Sequence, residues 1–509
     1  MGQSAGEGSD HAMTNLSMLP LDRSRFDEAA ARHLLTRAGF GGTSDQVQAL
    51  AKMGLNDAVG YLVEYEKVPE IPVARTDFNS DIRRPLTAAE REMVVLARRS
   101  NDEAALEAIQ RMRNERDGQD RTQIREMQKW WLKRMIETGR PLEEKMTLFW
   151  HGHFATGYRT VEDSYHMFLQ NGLFRSHATG NFADLVLRIL RDPAMLKYLD
   201  NDESRRGRPN ENLARELMEL FVLGEGHAYT EQDIKEGARA LTGYTFTDDT
   251  FTFNESGHDD GEKTILGQRG NWDGDDFARI ILSRKESSEF ICGKLYRFFV
   301  NDAPGMPTKS IEPVIKALAS ELRKKQYDLK SVLTMLFKSQ HFYDEDNRGS
   351  SIKSPVQLTV QTIRELGVPP RDLSTLNSAT DLMGQALFQP PNVKGWDTGR
   401  TWINTSTLFV RQNLAVYLIT GKRPDVFDWD ESLAQWPTAV LEAAVARRAA
   451  ATKSSESDAL LDVVLATSAS PDRRAQFKSF TQTLGGDLTG DRLVSALCLL
   501  TAVPEFQLC

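Results

Sequence analysis

The sequence is poor in features that define several large classes of protein. Only three cysteines occur in 509 residues. Cys292, Cys498 and Cys509 are too widely spaced to form a disulfide framework or a CxxC motif. The longest apolar run, residues 493–503, is about half of the ~20 residues that a transmembrane helix needs. We therefore predict no membrane span and no thiol chemistry.

Positive charge is also scarce. The chain has 63 Lys and Arg against 72 Asp and Glu, a formal charge of -9. Nucleic-acid binding requires a concentrated positive surface. The most basic stretch, residues 111–134, is interrupted by four acidic residues and is typical of a solvated mixed-charge helix. We therefore predict no nucleic-acid partner.

Targeting signals and common catalytic signatures are absent as well. Residues 1–13 are small and polar, with no apolar segment and no twin arginine, so the expected location is the cytoplasm by default. The sequence has no phosphate-binding loop, no dinucleotide fingerprint, no HExxH and no GxSxG. The common motif-defined enzyme classes are thus not indicated.

Helical periodicity dominates what is present. Apolar residues recur at helical spacing along most of the chain, while residues 244–272 alternate around an SGHDDG turn. We predict a mostly α fold, with one large multi-helix domain and a small β-hairpin or irregular excursion near 244–272. The predicted divisions are a disordered tail at 1–24, the main helical domain at 25–420 and a C-terminal helical region at 421–509.

Histidines are concentrated in one part of the chain. Six of the nine lie between positions 151 and 258, where uniform scatter would place about two. In His151-Gly152-His153, a helix would turn the two imidazoles roughly 200° apart, whereas an extended backbone would point them the same way. We expect an extended segment if the pair binds one metal. The alternative is that His153 continues the helical stripe as a core histidine.

A helix predicted over residues 210–223 carries the second group. It is apolar around most of its circumference, which is typical of a buried helix. Asn212, Glu216 and Glu219 share one face at i, i+4 and i+7, and Arg215 lies on the same polar arc. Buried carboxylates are costly unless they are paired or bind a metal. Metal ligation therefore competes with an internal ion pair, such as Glu219 with Arg215.

Two loops supply further candidates. The turn at His258 and Asp259 lies within the non-helical excursion, although Asp and Gly are also ordinary turn formers. The segment 388–405 places Asn392, Lys394 and Trp396 between Pro and Gly residues. Loops on a rigid scaffold often carry function. These side chains therefore line a pocket or, alternatively, fasten a long loop to the core.

Several long motifs together resemble the bacterial family catalogued as domain of unknown function 1800. The resemblance covers roughly residues 25–420, and the closing PEFQLC is also similar to the family's C-terminus. The motifs, in the family's order, are HLLTRAGFGGT, EEKMTLFWHGHFAT, RDPAMLKYLDND, NENLARELMELFVLGEG, YTEQDIKEGARALTGY, HDDGEKTILG, KLYRFF and PPNVKGWDTGRTWIN.

The resemblance implies a site and a genetic context. Its motif residues fall on His151, His153, Asn212, Glu216, His258, Asp259, Asn392, Lys394 and Trp396. It also implies that the gene often neighbours one for a sulfatase-like protein with a twin-arginine export signal. Export as a passenger of such a partner is therefore an alternative to the cytoplasm.

The first functional hypothesis is an enzyme with a histidine and carboxylate site that binds a divalent metal. Imidazole and carboxylate ligands suit Zn, Fe, Mn or Ni, and such a metal would activate water or a substrate oxygen. The metal ligands would be His151, His153, Glu216 and His258. The catalytic groups would be Glu219, Asp259 and Lys394, and the substrate-binding groups Asn212, Arg215, Asn392 and Trp396.

The second hypothesis is a non-catalytic helical binding or scaffold protein that serves the sulfatase-like neighbour. It depends on the long charged helical region at residues 87–137 and on the Ala-rich stretch after residue 421. Both are typical of interaction surfaces.

Overall fold

Helices form most of the molecule, which confirms the predicted fold class. The computed structural model describes residues 17–70, 77–226, 229–302, 308–422, 436, 438–467, 469–485 and 487–509. The helices of the first half are α1 (Glu28–Arg37), α2 (Ser44–Val63), α3 (Ala88–Ser100), α4 (Glu103–Glu137), α5 (Pro141–His153), α6 (Tyr158–Val161), α7 (Ser164–Ser176), α8 (Phe182–Ile189), α9 (Pro193–Tyr198), α10 (Asn212–Glu216) and α11 (Glu231–Ala240).

The second half continues in the same manner, with short 3-10 turns between many of the helices. Its helices are α12 (Gly274–Leu282), α13 (Lys285–Phe299), α14 (Thr308–Lys324), α15 (Leu329–Lys338), α16 (Pro355–Leu366), α17 (Leu373–Leu382), α18 (Thr405–Thr420), α19 (Ala439–Thr452), α20 (Glu456–Val464), α21 (Pro471–Thr483) and α22 (Gly490–Leu500). Among the described helices, none is both long enough and apolar enough to cross a bilayer.

The predicted excursion consists of two small antiparallel hairpins. β1 (Tyr244–Thr247) pairs with β2 (Thr250–Phe253), and β3 (Lys263–Ile265) pairs with β4 (Gln268–Gly270). The register places Tyr244 opposite Phe253, so two aromatic side chains face each other across the first hairpin. Both hairpins lie within residues 244–272, as the alternating pattern predicts.

Two hydrophobic cores hold the helices together. One contains apolar residues from α1, α2, α5, α8 and α12–α15, and the other contains residues from α4, α16–α18 and α20–α22. The helices after residue 438 therefore share a core with the main helical domain. Residues 17–24, which the sequence assigns to a disordered tail, pack on the end of α15 instead. There the backbone N–H of the buried Leu21 donates to Lys338 at 2.7 Å.

α5 lies at the centre of the arrangement. It begins with Pro141 in its first turn, where no backbone N–H is needed. Glu143 and Glu144 follow at the positive end of the helix dipole. Twelve of its thirteen residues are buried. Polar groups on this helix therefore require partners from neighbouring elements.

Candidate functional site

The His151-Gly152-His153 segment is helical, which is the alternative considered for this pair, so the extended backbone that joint metal binding requires is not present. α5 continues through His153 before the chain turns at Phe154. The helical rotation sends the two imidazoles to different sides of α5. Both are buried, with exposures of 1% for His151 and 6% for His153. Each histidine therefore has its own surroundings.

His151 lies among aromatic rings. Burial lowers its pKa to about 3, which keeps the imidazole neutral near pH 7. Its Nε2 has no hydrogen-bond partner among the described residues. The ring centroids around it, at 5.3 to 6.2 Å, belong to Trp131, Phe174, Phe388 and Trp396.

His153 is held in one tautomer by a backbone carbonyl. Its Nε2 lies 2.9 Å from the carbonyl oxygen of Phe221, and because a carbonyl only accepts, Nε2 carries the proton. Burial and the nearby Lys294 lower the pKa of His153 to about 3. Nδ1 is thus an unprotonated acceptor, and it has no hydrogen-bond partner among the described residues.

The segment 388–405 packs closely on the end of α5. Gly395 has a φ of 86°, and a Cβ at this position would lie 2.0 Å from the carbonyl oxygen of Gly152. A Cβ at Gly152 would lie 3.4 Å from the Trp396 ring. Both glycines therefore permit a close backbone approach. Gly152 serves this contact within the helix and does not mark the helix end.

A cavity opens beside this contact, between α5, α13 and the segment 388–405. Its volume is about 360 Å³. We refer to it as the basic cavity, because the five basic side chains on its described wall outnumber the two carboxylates, Asp302 and Asp397. The basic side chains are Arg37, Lys145, Lys294, Arg297 and Lys394. Three residues predicted from the sequence also line it, namely His153, Lys394 and Trp396.

Lys145 is the most unusual of these groups. Its Nζ donates to Oε1 of Gln357 and lies 5.0 and 5.4 Å from the ring centroids of Phe40 and Phe298. Burial lowers its pKa to about 7, while a charge on the nearby Cys509 opposes this shift and the charge of Arg37 adds to it. A large share of this amine is therefore unprotonated near neutral pH.

Arg37 shapes the cavity wall from α1. Its Nε donates to the carbonyl oxygen of Phe299 at 2.9 Å, and its Nη2 donates to that of Phe298 at 3.1 Å. Its Nη1 lies 2.9 Å from Sγ of Cys509. These bonds fix the guanidinium in place, so its charge acts on Lys145 from a constant position.

The sequence interpretation missed four of the five basic side chains. Arg37, Lys294 and Arg297 lie on helices far away in sequence, and no local pattern connects them to α5. Lys145 did leave a signal. It precedes Phe149 and Gly152 by four and seven residues, so it shares their helix face, and all three line the basic cavity.

The acidic arc of α10 is largely paired. Arg215 lies 3.2 Å from Glu219 and 2.8 Å from Glu231, so the structure contains the alternative that we considered, an ion pair. Asn212 is exposed. Glu216 is half-buried, and burial together with Glu219 raises its pKa. The chain continues as a π-helix over Leu217–Val222, an uncommon form that is frequent at functional sites.

The His258 and Asp259 turn is bonded to the end of α11. Nδ1 of His258 lies 2.8 Å from the carbonyl oxygen of Thr242. Asp259 pairs with Arg239 at 2.8 Å, and this hydrogen bond lowers the pKa of Asp259 to about 2. Lys263 donates to the Asp259 carbonyl at 2.5 Å. These bonds fasten the turn between the two hairpins to the end of α11.

The predicted metal ligands do not come together. Across the described ranges, no three His, Cys, Asp or Glu side chains are grouped so that they could hold a metal ion, and His151, His153, Glu216 and His258 all lie within those ranges. His227, another member of the histidine concentration, lies outside them. The catalytic and substrate-binding roles assigned to individual residues stay predictions.

Asn392 and Lys394 lie at the exposed side of the segment 388–405. Oδ1 of Asn392 accepts from the backbone N–H of Lys394 at 2.9 Å, which stabilises the turn. Lys394 Nζ lies 2.8 Å from Glu225, in the stretch that follows the π-helix. This ion pair connects the basic cavity to the α10 region at the surface.

Comparison with known proteins gives one match. A family model described as Protein of unknown function (DUF1800) matches residues 33–508. A search of curated proteins and a search of solved structures each found no match. The model covers nearly all of the chain, including α5, α13 and the segment 388–405. The chain therefore belongs to the family described as Protein of unknown function (DUF1800).

Proposed function

We propose that the chain is an enzyme that binds a small organic anion in the basic cavity and acts on it with groups of the cavity wall. One observation carries this proposal. A chain with a net charge of -9 gathers five basic residues and only two Asp side chains around one cavity. Three of the basic residues, Arg37, Lys294 and Arg297, form no ion pair with a described residue. This concentration of positive charge opposes the sign of the whole protein, and it creates a local field that attracts an anion.

The size and the lining of the basic cavity support a small ligand. Its volume of about 360 Å³ lies near the lower end of the range of about 300–1,000 Å³ that small-molecule sites occupy. Phe149, Phe298 and Trp402 supply apolar wall. Among the described residues, no ion pair neutralises Lys294 or Arg297, so these two charges are available to a ligand.

Two wall residues supply the chemistry. Lys145 presents an amine whose pKa of about 7 suits it to act as a base or a nucleophile at neutral pH. His153 presents Nδ1 as a fixed hydrogen-bond acceptor, because Nε2 is committed to the Phe221 carbonyl. In this proposal His153 orients a hydroxyl or ammonium group and does not bind a metal.

A ligand screen tests the proposal. The melting temperature of the full chain would be measured with 2-oxo acids, dicarboxylates, phosphate monoesters and sulfate monoesters, because a ligand that binds the native state raises it. We expect one class to raise it in a saturable manner. Arg297→Met should weaken this effect, whereas Lys316→Met, which removes a mostly exposed charge on α14, should not. If every anion acts equally on wild type and Arg297→Met, the proposal is wrong.

The alternative is a non-catalytic partner of a sulfatase-like protein, and one observation favours it. α3 exposes three apolar side chains, Met93, Val95 and Leu96, with exposures of 54%, 45% and 56%. Grouped exposed apolar residues are typical of a binding surface. Co-purification with the sulfatase-like protein that is lost on Leu96→Ser, and retained on Arg297→Met, would favour this alternative.

A further inference from the structure

We infer that the ε-amino group of Lys145 forms an imine with the carbonyl carbon of a small anionic aldehyde or ketone, of which 2-oxo acids are the simplest class. The inference rests on the proposed function, because the ligand's anionic group must be bound by the basic cavity. It adds the reaction and the substrate class.

The surroundings of Lys145 favour a nucleophilic amine. Its Nζ contacts a neutral amide, Gln357, and two aromatic rings, and no described carboxylate pairs with it. A carboxylate partner would stabilise the ammonium form and so suppress the attack on a carbonyl. Desolvation in a hydrophobic pocket is an established way to activate a lysine, and burial is the main cause that lowers the pKa of Lys145, with Cys509 opposing it and Arg37 adding to it.

Lys353 is a second buried lysine, and its contacts are those of a residue with a structural role. It is 1% exposed, and its Nζ donates to the carbonyl oxygen of Phe506 at 2.8 Å. It lies 4.4 Å from the Phe506 ring and does not belong to the cavity wall. Lys145 has similar burial but faces a cavity with room for a ligand. The cavity therefore distinguishes Lys145 from a lysine buried only for packing.

The part of the cavity wall formed by α13 fits the anionic end of the substrate. Lys294 and Arg297 are separated by three positions on α13 and therefore share a face, and both line the basic cavity. A guanidinium binds a carboxylate through two parallel hydrogen bonds. With the carboxylate bound at α13, the neighbouring carbonyl group of a 2-oxo acid faces Lys145, whose Nζ lies 5.4 Å from the ring centroid of Phe298 on the same helix.

The proposed step balances without an oxidant or a reductant. The nitrogen lone pair of the neutral Lys145 amine attacks the carbonyl carbon, and the new C–N bond breaks the C=O π bond. The oxygen takes one proton from the nitrogen and forms a carbinolamine. Loss of this hydroxyl with the second nitrogen proton releases water and leaves C=N.

Reductive trapping tests the inference. The full chain would be incubated with glyoxylate and sodium cyanoborohydride at pH 7, which converts an imine into a stable carboxymethyl-lysine, and labelled peptides would be mapped by mass spectrometry. Surface lysines have pKa values near 10.4, so their neutral fraction at pH 7 is about a thousandfold smaller than that of Lys145. We expect one dominant label, on Lys145.

Controls separate this inference from the proposed function. Lys294→Met should raise the glyoxylate concentration needed for labelling while Lys145 stays the labelled residue. Acetaldehyde, which lacks the anionic group, should label Lys145 at least tenfold more slowly. Labels spread over surface lysines, in a wild-type protein whose melting temperature responds to glyoxylate, would overturn the imine and leave anion binding intact. Absence of both the response and the label would overturn both proposals.

Discussion

Glu144 and Lys145 are neighbours on α5 and both are buried, but their surroundings differ. Burial alone would raise the pKa of Glu144, but Arg175 and Arg134 outweigh it and hold the pKa below its ordinary value. Trp131 also donates to this carboxylate at 3.0 Å. Lys145 forms no ion pair with a described Asp or Glu, and burial lowers its pKa to about 7 although a charge on Cys509 opposes the shift. Two adjacent positions of α5 thus carry a carboxylate that is paired with arginines, Glu144, and an amine that is not paired, Lys145.

This difference assigns Glu144 a role in stabilising the fold and leaves Lys145 available to react with a ligand. A buried charge with complete partners contributes to a unique packing arrangement, and its removal leaves those partners unpaired. A buried ionisable group without a counter-ion costs stability, and groups with strongly perturbed pKa values cluster at functional sites. The cavity beside Lys145 explains why such a cost would be retained.

Removal of the paired charge should have the largest effect. Glu144→Ala leaves Arg134 and Arg175 buried without their shared carboxylate. We expect the free energy of unfolding to fall by about 3–5 kcal/mol, measured by urea denaturation. Glu107→Ala, at a site that is 74% exposed, should change it by less than about 0.5 kcal/mol. Equal effects would remove the basis for calling Glu144 structural.

The second largest effect on stability should come from disrupting the contact between Gly395 and Gly152 beside the cavity. In Gly395→Ala, the new Cβ would meet the Gly152 carbonyl at 2.0 Å, so the segment 388–405 must move. We expect a loss of about 2–3 kcal/mol and a weaker response to anions. Gly267→Ala is a matched control, with a φ of 82° and no atom within 4 Å of the new Cβ. It should cost only about 1 kcal/mol and leave anion binding unchanged.

Replacement of the unpaired charge should leave stability unchanged or raise it slightly. Lys145→Met keeps the length of the side chain and removes the cost of burying an amine, so we expect a change between zero and about +1 kcal/mol in the free energy of unfolding. The same variant should lose labelling by glyoxylate. A loss as large as that of Glu144→Ala would show that Lys145 is needed for folding and would contradict the comparison.

The smallest expected effect is on the pH dependence of stability, which tests the lowered pKa of Lys145. The folded pKa of Lys145 is about 7, below the ordinary 10.5, so between these values the unfolded chain binds more protons. Stability should therefore rise with pH across this window, by at most about 1.4 kcal/mol per unit. Urea denaturation from pH 7 to 9 should show a shallower rise in Lys145→Met than in wild type. Parallel curves would exclude the lowered pKa.

The fold class followed from local patterns. Helical periodicity and capping residues are short-range signals, and the alternation in residues 244–272 is equally local. The apolar character of residues 210–223 also predicted burial correctly, since Leu213, Leu217 and Phe221 are fully buried. The π-helical turn within that stretch was not predicted, because it depends on packing against neighbouring helices.

The candidate site was only partly predictable. The sequence identified His153, Lys394 and Trp396, which line the cavity. It did not reveal that Gly395 approaches the Gly152 backbone closely. That approach joins segments about 240 positions apart, so no local pattern encodes it. The convergence of Arg37, Lys294 and Arg297 on α5 is likewise a product of tertiary packing.

The most direct test is an isothermal titration of glyoxylate into the full chain at pH 7. We predict saturable binding at one site per chain, at least tenfold weaker in Arg297→Met and unchanged in Lys316→Met. Absence of saturable heat with any small organic anion, or equal affinity in wild type and Arg297→Met, would contradict the assignment of the basic cavity as the functional site.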